Sequence, residues 1–147
     1  MVWLPLERWK EQRTFWIGLK SREPKRCRLR FQPLCISGEP DWNPRWEEWH
    51  CYLFPLAMGI EDYQLLLADY FARIYPTQDA FSGTPEEGLD PCGPNWLGAG
   101  DWEKLILLLR EELGRCTKKR ARFYEAFLRW LEAALTHTDI IVVEGNQ

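Results

Sequence analysis

The chain has no Cys-x-x-Cys pair and no His-x-x-x-His pair, and it carries only two histidines, His50 and His137. That removes the usual spacings of a zinc ribbon, a redox dithiol or a helical zinc site. Its five cysteines, Cys27, Cys35, Cys51, Cys92 and Cys116, are odd in number and scattered. They read as reduced, buried thiols rather than a disulfide framework. The stretch "DAFSGTPEEGLD" lacks the alternating oxygen ligands and late glutamate of a calcium loop. In "GPNWLGAGDW" the glycines Gly93, Gly98 and Gly100 precede a helix with no strand read ahead of them. The lysine and serine or threonine of a phosphate-binding loop are missing there too. No metal and no cofactor is therefore expected.

Long apolar runs are also lacking. None approaches the roughly 18 residues that would cross a bilayer, and "MVWLPLERWKEQR" has no apolar signal core. The expectation is a cytoplasmic protein away from membranes. At 147 residues, 46% hydrophobic and 28% charged, the composition is that of one globular domain spanning 1–147.

What the chain has in surplus is tryptophan, nine in all. Three fall in "DWNPRWEEWHCY", beside His50 and Cys51. Neighbouring strand residues face opposite ways, so His50 and Cys51 cannot form a dyad with each other. Cys92 is the obvious distant partner, but no convincing catalytic set emerges. Trp16, Trp49, Trp102 and Trp130 lie on or beside apolar stripes and read as core. Trp42, Trp46 and Trp96 lie among Pro, Gly and Asn and read as lids or as contact residues.

Charge is unevenly spread. The first 36 residues hold nine Lys/Arg against three Asp/Glu, within a chain of net charge −3. "CRLRF" alternates, with Cys27, Leu29 and Phe31 on one face and Arg28 and Arg30 on the other. A strand over residues 14–20, the turn "SREPKR" and this strand make a basic hairpin with Arg26, Arg28 and Arg30 facing outward. Pro33 marks a bent edge or a bulge. A second basic run, Arg115, Lys118, Lys119, Arg120 and Arg122, opens a later helix.

A third strand is expected from about residue 48, closed by Pro55. Helices follow over 61–75, from Asp101 as N-cap to Gly114, and over 117–135. Between the first two lies a Gly/Pro-rich loop of about two dozen residues, a length often associated with function. "IIVV" near the end reads as a buried strand inserted beside an early one. Strands segregated from helices predict an α+β fold: an antiparallel-dominated sheet of three N-terminal strands plus a C-terminal one, with three helices on one face.

The functional expectation is a small, non-catalytic macromolecule-binding protein of inhibitor, adaptor or immunity type, by architectural analogy. Its partner is expected to be another protein, an acidic one in particular. Binding residues would come from Arg26, Arg28, Arg30, Trp42, Trp46, His50 and Trp96. One alternative is a small enzyme or ligand-binding protein, with a pocket between the 40s loop and the 76–100 loop lined by Trp42, Trp46, His50, Trp96 and Asp101. A second is nucleic-acid binding through the basic hairpin. The acidic remainder of the chain weighs against it.

Overall fold

The computed structural model describes residues 15–19, 27–34, 55–136 and 138–145. Along the chain these form β1 (Phe15–Trp16), β2 (Arg28–Leu34), β3 (Leu56–Gly59), α1 (Ile60–Leu66) and α2 (Ala68–Ile74). Then come β4 (Thr77–Gln78), β5 (Pro85–Glu86), β6 (Pro94–Gly98), α3 (Ala99–Leu113), α4 (Lys118–Leu135) and β7 (Ile140–Gly145). The main sheet has the order β1-β3-β2-β7-β6. All its pairings are antiparallel except β1 with β3. The fold is α+β, as expected, with helices gathered on one face.

Alternation along the strands builds that face. Leu29 and Phe31 of β2, Leu56 and Met58 of β3, and Ile141 and Val143 of β7 are fully buried against the helices. Phe31 is the centre of an aromatic cluster, with Phe127 at 5.3 Å, Trp102 at 6.1 Å, and Phe71 and Trp130 at 6.4 Å between ring centroids. The apolar stripes of the two long helices are as expected. Trp102, Leu105 and Leu109 of α3 and Tyr124, Phe127, Leu128 and Leu131 of α4 are buried. The Thr117 side chain accepts from the Arg120 N–H at 3.4 Å and caps α4. Arg110 and Glu132 pair across the outer surface of the two helices.

Several details differ from the sequence expectation. The helix expected over 61–75 is two helices, broken at Leu67 (φ −122°, ψ −25°). The Tyr124 hydroxyl donates to the Leu66 carbonyl at 2.8 Å, so a buried acceptor at the end of α1 is satisfied from α4. Asp101 is not the N-cap of α3. It sits one turn in, and its carboxylate accepts from the Gly98 N–H at 3.2 Å. This is the returning half of a capping box, with a glycine as cap.

The expected two-dozen-residue loop holds structure of its own. β4 and β5 form a small hairpin, and β6 joins the main sheet beside β7. A strand therefore does precede α3. Asn95 fixes the approach to it. Its Oδ1 accepts from the Asp90 N–H at 2.7 Å, and its Nδ2 donates to the carbonyls of Asp90, Gly93 and Val143 at 2.8, 3.2 and 2.9 Å.

Two strand expectations are corrected. β1 and β2 are not a hairpin, because β3 lies between them. β2 is an interior strand, and Pro33 is neither an edge nor a bulge but pairs with Ile141 of β7. The Cys27 carbonyl accepts from the Ile60 N–H at 3.1 Å, so residues 27, 29, 31 and 33 direct their main-chain groups toward β3. The described β3 ladder ends at Phe31 opposite Leu56, and the missing Pro33 N–H points beyond it. β3 begins just after Pro55, where the sequence suggested a closure; the strand expected over 48–54 lies outside the described residues.

Candidate functional site

The face of the sheet away from the helices carries the polar residues. Arg28, Arg30 and Gln32 of β2 alternate with the core residues, and Glu144 of β7 stands directly opposite Arg30. Gln32 Nε2 donates to Glu144 Oε2 at 3.3 Å. The Arg28 guanidinium lies 5.9 Å from the centroid of the Trp16 ring. Arg28 and Arg30 are half-buried, and the Arg30 Nε is fully enclosed without a hydrogen-bond partner. These two arginines thus belong to a ladder lying on the sheet and do not project from a hairpin.

Burial dominates the electrostatics of that ladder. It pushes the Glu144 carboxyl up to about 7, although Arg30 and then Arg28 pull it down. Ala57 and Val142 on the same face are fully buried. Trp96 also points to this face, at 7% exposure. It belongs to β6 and not to a loop. Its ring packs on Phe81 at 5.2 Å and against Val142. Trp96 is therefore a buried cover for the edge of the sheet and not an open contact residue.

The edge of the sheet at β1 has a different character. A cleft of about 390 Å³ separates residues 16–19 from α4. Trp16, Ile17, Gly18 and Leu19 form one wall; Lys119, Arg122, Phe123 and Ala126 form the other. Phe123 is buried, whereas Lys119 and Arg122 are exposed. The floor is thus apolar and the rim cationic. The sequence leads from Leu19 straight into Lys20, Arg22, Lys25 and Arg26. Folding places Lys119 and Arg122 beside residues 16–19; Lys20, Arg22, Lys25 and Arg26 lie outside the described residues.

Of the residues singled out in the sequence, Arg26, Trp42, Trp46 and His50 lie outside the described residues. Arg28 stands next to the β1 edge through its contact with Trp16. Arg30 and Trp96 sit farther across the sheet, on β2 and β6. Asp101, placed in the alternative pocket, is engaged by the start of α3. The run containing Lys119 and Arg122 is evident in the sequence, but its place beside residues 16–19 is set by contacts distant in the chain. Helical spacing was the available signal: Lys119, Arg122, Phe123 and Ala126 fall on one face, three and four apart.

The described cysteines Cys27, Cys92 and Cys116 are free thiols. Cys92 is exposed, and Cys27 and Cys116 are half-buried, so these three are less enclosed than expected. Among the described residues, no group of three or more His, Cys, Asp or Glu is arranged to hold a metal ion. Nor is any described helix long and apolar enough to cross a membrane. Comparison with protein-family models, with curated proteins and with solved structures finds no match.

Proposed function

We propose that the chain is a macromolecule-binding protein that takes an acidic protein partner at the β1 end of its sheet. The observation that carries this reading is the cleft between residues 16–19 and α4. It combines an apolar floor with Lys119 and Arg122 at its rim. Apolar area gives such a surface its affinity, and charge of one sign steers the partner and selects it. Arg28 beside Trp16 extends the cationic character to the other face of the same edge.

A protein partner is favoured over nucleic acid by the distribution of charge. The chain is net acidic, and Glu86, Glu87 and Asp90 are exposed in the region of β5 and β6. A long polyanion would meet that repulsion, while a short acidic segment would not. The test uses a fluorescent oligoglutamate peptide and a single-stranded DNA of equal charge, titrated at several ionic strengths. The expected result is salt-dependent peptide binding that weakens on the double change Lys119→Glu and Arg122→Glu. Equal or tighter binding of the DNA would replace the protein reading with a nucleic-acid one. Peptide binding untouched by the charge reversals would remove the cleft from consideration.

A further inference from the structure

We propose that the cleft takes its partner in extended form, the acidic segment adding to the outer edge of β1 as a further strand; this rests on the binding reading just given. The main-chain pattern carries it. β1 is the edge strand of the sheet among the described residues, with β3 as its neighbour. In a parallel pair, alternate residues direct both their N–H and their C=O to the same side. The Ile17 N–H donates to the Ala57 carbonyl at 3.1 Å, so Ile17 faces β3. By alternation, Trp16 directs its main-chain groups away from β3. Among the described residues it has no main-chain partner on that side, and Gly18, just past the strand, is exposed. A strand edge with no neighbour among the described residues is a template for another strand.

The side chains on either face of that edge define the chemistry of the guest. Successive residues of an added strand point alternately to the two faces of the sheet. Those pointing toward α4 would meet Phe123 and Ala126 below, and Lys119 and Arg122 at the rim. Side chains two apart on a strand repeat at about 7 Å. Side chains three apart on a helix lie about 5–6 Å apart. Two carboxylates in an i, i+2 relation can therefore reach Lys119 and Arg122 together. Residues pointing to the other face would come alongside the Trp16 ring and Arg28. Both faces present cations, so the guest is a short, acidic, extended peptide. The strand itself is short, Phe15–Trp16, and the chain bends at Leu19, so the guest docks on a brief edge.

The experiment leaves the protein unaltered in its decisive arm. The probe is a synthetic seven-residue peptide alternating Glu and Val. Two companions are N-methylated at alternate residues, one in each phase. N-methylation removes main-chain donors without changing charge. Affinity is read by anisotropy, and amide exchange at Trp16 is read by NMR. The expected result is a loss of roughly tenfold or more in one methylation phase and little change in the other, as one or two main-chain hydrogen bonds imply. Slowed exchange of the Trp16 amide should accompany binding.

Equal affinity in both phases, together with sensitivity to Lys119→Glu and Arg122→Glu, would overturn strand addition and leave the acidic-partner reading standing. Insensitivity to the charge reversals would overturn both, as would no binding at millimolar peptide. The circular dichroism of the double variant checks that it is folded.

Discussion

The two faces of the central sheet come from the same strands and behave as different materials. Toward the helices, Leu29, Phe31, Met58, Ile141 and Val143 are fully buried and carry no side-chain hydrogen-bonding groups. Toward the other side, the same β2 and β7 present Arg28, Arg30, Gln32 and Glu144. The apolar face needs only to exclude water, and its stability grows with the area removed from solvent. The polar face works only while its charges compensate one another, since each is costly to bury alone. One face is accordingly insensitive to pH and the other is not. At the β1 edge the polar face, through Arg28 and Trp16, comes next to the cleft rimmed by Lys119 and Arg122.

The contrast is broken most severely by removing the centre of the apolar face. Phe31→Ala withdraws a ring that touches Phe71, Trp102, Phe127 and Trp130. A loss of about 3–5 kcal/mol in chemical denaturation is expected, as for other buried phenylalanines. A loss below about 1 kcal/mol would mean that the cluster is not the organising core.

Gly145, at the end of β7, tests how tightly the loop before β6 is laid on the sheet. A Cβ there would stand 1.6 Å from the Pro91 carbonyl oxygen and 3.1 Å from Leu29 Cδ2. The obstacle is main chain and cannot rotate away. Gly145→Ala should cost about 1–3 kcal/mol and disturb the Asn95-centred turn, read as faster exchange of the Asp90 amide. Unchanged stability and exchange would show that the loop does not rest there.

On the polar face the expected effect is a dependence on pH. Burial holds the folded Glu144 carboxyl near 7, above the 4.5 of an unperturbed glutamate. The native state then binds a proton that the unfolded chain has already released. Stability is fullest below about 4.5 and falls as pH rises toward 7. After allowance for solvent screening of a half-buried group, the loss is about 1–2 kcal/mol. Comparing denaturation of wild type and Glu144→Gln from pH 4.5 to 8 should show this slope only in the wild type. An identical slope in the variant would assign the pH response to other groups.

The helix-covered face was largely legible in the sequence. The stripes of α3 and α4 follow helical periodicity, and "CRLRF" and "IIVV" announce β2 and β7. What could not be read depends on contacts distant in sequence. β6 is written "PNWLG", three of whose five residues favour turns; it is a strand because β7 offers it an edge and its proline comes first. The β1–β2 hairpin failed because β1 pairs in parallel with β3, which no turn signal between them reveals. The break at Leu67 leaves the apolar period intact and so leaves no mark. The cleft was half visible: the basic run that holds Lys119 and Arg122 was evident, but the topology that sets it beside residues 16–19 was not. Arg28 and Arg30 were correctly placed opposite the core, yet the same alternation that exposed them to view concealed their electrostatic effect on Glu144.

The smallest expected effect separates the two roles of Arg28. Its guanidinium stands over Trp16 and also contributes, after Arg30, to holding the Glu144 proton loosely. A half-exposed cation–π contact is worth about 0.5–1 kcal/mol, so Arg28→Ala should cost little more than that in stability at pH 5, where Glu144 is mostly protonated. At pH 8 the same change also removes a favourable charge from beside an ionised Glu144, and the cost should be larger. Arg28→Lys keeps the charge but loses the planar contact, so it should restore the pH 8 increment more fully than the stability at pH 5. A double-mutant cycle of Arg28→Ala with Glu144→Gln, run at both pH values, measures the coupling directly. Coupling that is the same at pH 5 and pH 8 would show that Arg28 acts on Trp16 alone, and the polar face would then reduce to the Arg30–Glu144 pair with Gln32.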